Sequence, residues 1–387
     1  LPHNLARARA ALASPVAYRV RCALDRTALY GLFKDALFRA GGHPMLAQEA
    51  ARPEVERKSH TDAEREWILR HFRRNLTALS KACSRAGARV IFCTSPTNLR
   101  DYDPNISRHS DGLSAEQQAK WRSHCQHGQR LCSEGSHTEA VEQFRRAETI
   151  DAQPAELHFQ LAQCLEALGR WDDARAEYVR ARDLDRYPLR ATTAINEIIR
   201  EACRETRGTL ADLEAAFRRH SEHGLPGYDL FRDHCHLTLK AHRLVAFEVT
   251  RAMYEAGLLP PSPVGDGPDV CEPLDYDATL GLRTHDHAAA CEEVGIQILR
   301  EVSSRSPNTA RRQRARLELQ QAVALDPNRP NALLHLGLIL AAEEQRDEAT
   351  RLLRRALTLD PHIADGHAYA LRVLREMGVV PDTRQAK

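Results

Sequence analysis

The chain repeats itself at a period of about 34 residues. Gly128, Leu131, Gly135, Ala140, Phe144 and Ala147 recur one period later as Ala162, Leu165, Gly169, Ala174, Tyr178 and Ala181, matched pair by pair in size. The same spacing returns near the C-terminus, where Ala315, Leu319, Ala322 and Pro327 precede Ala349, Leu353, Ala356 and Pro361. A fixed period of this length predicts stacked helical hairpins. Small residues at Gly128 and Ala162, and at Ala140 and Ala174, let two antiparallel helices approach closely. Gly135 and Gly169 end the first helix and permit the turn. Phe144 and Tyr178 fill the space between adjacent hairpins. In the second group Gly337 and Leu340 hold first-helix positions. Asp326-Pro327 and Asp360-Pro361 break one helix before the next begins.

These residues make segments 113–186 and 311–378 resemble the tetratricopeptide repeat family. The resemblance implies helical hairpins that bind another protein or a peptide in the repeat groove. Such repeats bury a shared core only by stacking. Two copies mid-chain and one and a half at the end are few for free-standing arrays, so each group is expected to pack on something else.

The rest of the composition narrows the function. The 387 residues suit two or three domains at roughly 150 each. Aromatic content of 5% favours Ala/Leu/Arg/Glu-rich helices over a β-sandwich. A net charge of +2 with no basic block gives no electrostatic support for nucleic-acid binding. No apolar run approaches the ~18 residues of a membrane helix, and no signal peptide is visible. The compartment is therefore unread. Because the first residue is Leu1, the chain is expected to be a fragment or a processed form. The ten cysteines form no Cys-x-x-Cys pair and read as buried free thiols. A zinc site or a disulfide framework is the alternative.

Around the repeats the pattern changes. Thr61-Asp62-Ala63-Glu64 is a capping box that opens a helix to about Gly87, with Trp67, Ile68, Phe72, Leu76, Leu79 and Cys83 on one face. Arg89–Cys93 is a short apolar run bounded by turn formers, the pattern of a buried parallel strand. A helix is expected over about Ala191–Thr206, a second short strand at Thr209–Leu213, and a last helix over about Leu237–Gly257. With 113–186 removed, the order helix–strand–loop–helix–strand–loop–helix is the back half of a parallel α/β sheet. The repeats then interrupt it after a strand's C-terminal end, the edge where open α/β sheets bind ligands.

Asp233 and His236 flank His234 and Cys235 in the loop before that last helix. A His at this position suits a general base, and an Asp three residues earlier suits the group that orients it. The stretches VIFCTSPTNLRDYDP (90–104), ADLEAAF (211–217) and LFRDHCHLTLKAHRLVA (230–246), with the repeat insertion, resemble the SGNH/GDSL hydrolases, flavodoxin-like esterases. The likeness is closest to a bacterial subgroup in which the domain carries inserted tetratricopeptide repeats. By that resemblance Asp233 and His236 are catalytic, and Asn98 and Arg100 face the same cleft as substrate-binding residues. The family's Gly-Asp-Ser nucleophile motif is missing, and neither Ser14 nor Ser95 stands in its context. A serine nucleophile is expected upstream, and this chain alone should not complete a triad. Leu237 also stands where the family has Pro after His.

The expected fold class is mostly α with an α/β part: a partial flavodoxin-like parallel sheet interrupted by repeat hairpins, plus C-terminal repeats. Residues 1–112 and 187–257 form the α/β part, 113–186 the inserted pair, 258–310 a Pro/Gly-rich linker with helices, and 311–378 the terminal repeats. Neither Asp233–His236 nor Thr284–His287 has the helical spacing of a metal site, so no metal and no cofactor are expected. Two functions stand open: an acyl-ester hydrolase, or a non-catalytic scaffold holding a protein or peptide in its repeat groove.

Overall fold

The computed structural model describes residues 61–260, 276–301, 309–363 and 366–379. Ser14, Cys22, Cys271 and most of the Pro/Gly-rich linker lie outside them.

The capping box forms as expected. Thr61 Oγ1 accepts from the Glu64 amide at 3.2 Å, and the Glu64 carboxylate accepts from the Thr61 amide at 3.0 Å. It opens α1 (Asp62–Arg85). The chain then enters β1 (Ile91–Cys93), which pairs in parallel with β2 (Thr209–Ala211) in the register Ile91–Thr209, Phe92–Leu210 and Cys93–Ala211. Gly208 is required just before β2, because a Cβ there would lie 2.5 Å from the Phe92 ring. Side chains alternate across this pair. Phe92 and Leu210 pack with Phe72 and Leu76 of α1 and Ile199 and Cys203 of α6 (Thr193–Thr206). Ile91 and Ala211 pack with α7 (Leu213–His220) and α8 (Leu239–Glu255) on the other face.

This part departs from expectation in three ways. Among the described residues the sheet has two strands and is no flavodoxin-like sheet. Among the described residues only Ile91–Cys93 and Thr209–Ala211 are strands, and the other regular elements are helices. Strand β2 stops at Ala211, because Asp212 caps α7 by accepting from the Ala215 amide. Leu79 is 63% exposed and lies off the buried face of α1.

Between β1 and α6 come α2 (Ala115–Ser133), α3 (His137–Ile150), α4 (Ala155–Ala167) and α5 (Trp171–Leu184). Their core holds Ala140, Phe144, Ala147, Leu161, Ala162, Leu165, Ala174, Tyr178 and Ala181, as the repeat register requires. A Cβ at Gly128 would lie 2.8 Å from the Phe144 ring, so the close approach is real. Cys132 and Cys164 form a disulfide, against the expectation of free thiols. They sit on α2 and α4, two first helices made neighbours by stacking.

After α9 (Tyr276–Leu280) come α10 (Thr284–Glu301), α11 (Thr309–Leu325), α12 (Pro330–Ala342), α13 (Arg346–Leu359) and α14 (Gly366–Glu376). Their common core runs from Cys291 and Ile298 through Leu319, Leu333 and Leu353 to Leu374. A Cβ at Gly337 would lie 2.9 Å from Leu353, and one at Gly295 would lie 2.7 Å from Leu319. Helices α10 and α11 thus repeat the close contact made by α12 and α13. Gly128 precedes Phe144 by the same interval as Gly337 precedes Leu353, whereas Gly295 and Leu319 stand further apart in the chain. The longer α10–α11 connection hides this hairpin from a strict alignment at the repeat period.

Candidate functional site

Two regions gather polar groups in ways that packing alone does not require. The first is the loop before α8. Phe231 and Leu237 form an antiparallel bridge, and the Arg232 amide donates to the His236 carbonyl at 2.8 Å. Inside this narrow loop Asp233 is buried. Its Oδ1 accepts from the amides of Cys235 and His236, each at 2.8 Å, and its Oδ2 lies 2.5 Å from His236 Nδ1. A carboxylate only accepts, so the ring donates through Nδ1 and Nε2 remains as its acceptor. The His236 side chain is 67% exposed. The imidazole is thus held by a buried carboxylate and open to solvent.

Asn98 joins this loop but is fully buried. Its Nδ2 donates to the Asp233 carbonyl at 3.0 Å, its amide donates to the His234 carbonyl at 3.2 Å, and its Oδ1 accepts from the Asp101 amide at 3.0 Å. Arg190 donates to the carbonyls of Asn98 and Tyr102 at 2.8 and 2.5 Å. Burial pushes the Arg190 guanidinium down to about 10. Asn98 therefore holds the Asp233 loop in place. Arg100 pairs with Asp101 at 3.3 Å and Glu222 at 3.7 Å, and makes no hydrogen bond to Asp233 or His236. Ser95 is tied to Asn196 by reciprocal bonds of 2.8 and 3.1 Å. No described serine, threonine or cysteine side chain is paired with His236. Asp233, His234 and Cys235 bring potential ligand atoms within 4.8 Å of one another.

The second region is where the loop after β1 meets the mid-chain repeats. Asp151 and Asp185 end α3 and α5 at equivalent places, one repeat period apart. Asp151 accepts from His109 Nδ1 at 2.7 Å, the Ser110 hydroxyl at 2.7 Å and the Ser110 amide at 3.1 Å. Asp185 accepts from the amides of Asn105 and Ile106 at 2.8 and 3.0 Å. Ser107 Oγ accepts from the Glu156 amide at 2.7 Å. Leu99 and Leu225 enter the repeat core, and His223 stacks on Trp171 at 3.7 Å. The mid-chain pair thus grips a segment of its own chain, 105–110, by backbone and side chain.

The terminal repeats reach the same loop from elsewhere. The guanidinium of Arg311, fully buried on α11, lies 3.6 Å from the Tyr102 ring centroid and donates to Asn105 Oδ1 at 3.0 Å. It also forms an ion pair with Asp103. Sequence reasoning missed this tie, since nothing local distinguishes Arg311 from the arginines beside it. It also missed the meeting of Cys132 with Cys164, although a separation of 32, close to the repeat period, was a usable signal.

Tetratricopeptide repeat models match residues 131–187 and 330–363. These segments are tetratricopeptide repeats. Neither model describes an SGNH or GDSL hydrolase. Among solved structures the chain is similar to YrrB, a tetratricopeptide protein with an unusual peptide-binding site, at 12% identity over 68% of this chain and 100% of that one, with a TM-score of 0.19. It is similar to Acl4, the assembly chaperone of RpL4 (residues 1–338), at 19% identity over 67% and 85%, with a TM-score of 0.21. A third match is a chain of the Cut9–Hcn1 hetero-tetramer of the APC/C, at 14% identity over 67% and 42%, with a TM-score of 0.21. No curated protein matches. No described helix is long and apolar enough to cross a membrane.

Proposed function

We propose that this chain is a protein-interaction scaffold whose terminal repeats take a protein or peptide partner. The observation that carries this reading is the grip of Asp151 and Asp185 on residues 105–110. It is a worked example, within one chain, of these repeats holding an extended segment. The mid-chain pair is already occupied. At the same repeat spacing the terminal group carries Asp326 and Asp360. Among the described residues their carboxylates meet near neighbours in the chain: the amides of Asn328 and His362, and Arg329 at 3.9 Å from Asp326. They are the positions at which an incoming backbone would be held. Screening the whole chain against a peptide array should yield binders whose capture is lost in Asp326→Ala/Asp360→Ala and kept in His236→Ala. Binding indifferent to both aspartates would remove the terminal repeats from the function.

One observation favours a second reading. The Asp233–His236 pair has the orientation and exposure of a general base with its orienting acid. Under this reading the chain is part of an SGNH-type esterase acting on an acyl ester. A serine outside the described residues supplies the nucleophile, Asn98 positions the loop, and Arg100 meets substrate. Hydrolysis of p-nitrophenyl acetate by a chain that includes the nucleophile should vanish in His236→Ala. Unchanged turnover in that variant takes His236 out of the mechanism.

A further inference from the structure

Cys132, His137 and Cys164 form a donor cluster that neither functional reading uses. Their potential ligand atoms lie within 4.8 Å of one another. Cys132 is in the last turn of α2, Cys164 in the last turn of α4, and His137 is the first residue of α3. As a disulfide the two cysteines have Cα atoms 6.6 Å apart. The disulfide leaves the imidazole unexplained. His137 Nδ1 is buried and has no hydrogen-bond partner, whereas buried polar atoms are ordinarily paired. Two sulfurs and one imidazole nitrogen are a zinc-type donor set. Two helix C-termini face this cluster against one N-terminus, so the backbone contributes net negative partial charge, which favours a cation. Cys164 is buried, while Cys132 and His137 are half-buried and so partly open to solvent.

We propose that, in the dithiol state, Cys132, His137 and Cys164 bind one thiophilic divalent cation of the zinc class, with water completing a tetrahedron. A thiol-class reductant supplies two electrons and two protons, the Sγ–Sγ bond breaks, and two thiols form. Cation binding then makes two metal–sulfur bonds and one metal–nitrogen bond and releases the two thiol protons. The disulfide and metal-bound states exclude each other, because a disulfide offers no thiolate charge. Either state fastens α2 to α4, so the repeat pair keeps a tie between its first helices under both oxidising and reducing conditions.

The whole chain, reduced with a phosphine and titrated with Co2+, tests this. Expected are a thiolate-to-cobalt charge-transfer band saturating at one ion per chain, its bleaching by one equivalent of Zn2+, and no band in the oxidised chain. Cys164→Ser and Cys132→Ser should abolish the band, and Cys235→Ser and Cys125→Ser should keep it. His137→Ala, at a half-buried helix start and expected to keep the helical circular dichroism, should weaken binding by at least the roughly 10–100-fold typical of losing an outer-shell partner. No thiolate band in the reduced chain overturns the proposal. So does a band that survives Cys132→Ser, or an affinity unmoved in a folded His137→Ala.

Discussion

The mid-chain and terminal repeats share a register and differ in what fills it. Aligning Ala162 with Gly337 and Tyr178 with Leu353 places His158 opposite Leu333 and Glu177 opposite Leu352. In the mid-chain pair His158 is fully buried, its Nδ1 lies 2.7 Å from Glu177 and its Nε2 lies 2.9 Å from the Ala152 carbonyl. Arg145 also donates to Glu177 at 2.7 Å. In the terminal group both positions are buried leucines within one apolar cluster. The repeat hairpin therefore tolerates either a satisfied polar pair or an apolar pair at the same place. The polar version goes with the group that grips its own chain, the apolar version with the group whose Asp326 and Asp360 carboxylates make local bonds among the described residues.

The largest expected effect breaks the link between the two groups. Arg311→Ala leaves the Asp103 carboxyl, which burial pushes up, without the Arg311 guanidinium, and removes the nearer of the two guanidinium groups over the Tyr102 ring. Removing one partner of a buried pair typically costs about 3–5 kcal/mol. Urea unfolding of the variant should separate into two transitions where the parent shows one.

Next come the close-approach glycines. Gly295→Ala, Gly337→Ala and Gly128→Ala each place a Cβ within 2.7–2.9 Å of a side-chain atom of the facing helix. Each should destabilise by about 1–3 kcal/mol, the usual cost of overpacking. The sign is the useful part, because Ala at an open helix position stabilises by up to roughly 1 kcal/mol. A gain in melting temperature for Gly295→Ala would mean that α10 and α11 do not form a repeat hairpin.

Acid sharpens the comparison further. Burial pushes the Glu177 carboxyl up, but His158 and Arg145 outweigh it and the net value lies below the ordinary one. Asp151 is also lowered overall: burial raises it, and hydrogen bonds from Ser110, Gln153 and His109 more than offset this. Groups with depressed values stabilise the fold fully above their ordinary values of 4.5 and 3.8, and that stability is lost as pH falls through the folded values. Melting temperature should therefore drop below about pH 4.5, with a shallower acid limb in Glu177→Gln. The smallest effect is expected from His158→Leu/Glu177→Leu, which writes the terminal solution into the mid-chain pair. Replacing a buried ion pair by apolar residues of similar volume is often neutral or stabilising, and a calorimetric loss of several kcal/mol would show that Arg145 cannot reorganise.

Much of this was legible beforehand. The repeat period located the core positions Ala140, Ala147, Ala162, Ala174 and Ala181 in α3–α5, and the Thr61 capping box marked the start of α1. The apolar runs at 89–93 and 209–213 became a parallel pair. The Asp-x-x-His spacing anticipated a contact, because three residues inside a bridged loop bring a carboxylate and an imidazole together. The burial of Asn98 as a clamp on the Asp233 loop could not be read, since hydrogen-bond partners so far apart in the chain leave no local pattern. The α10–α11 hairpin escaped because a longer connection shifts the period without altering the packing.

The sequence by itself determined the hairpins, their register and their caps, because these depend on spacings of a few residues and on which residues permit a turn or a close approach. Tertiary structure alone decided that the sheet has two strands among the described residues, that residues 105–110 lie in the grip of Asp151 and Asp185, that Arg311 ties the terminal repeats to Tyr102, and that Cys132, His137 and Cys164 meet. Each of those depends on contacts between segments far apart in the chain, whose formation is governed by stacking geometry and burial that no short window of residues encodes.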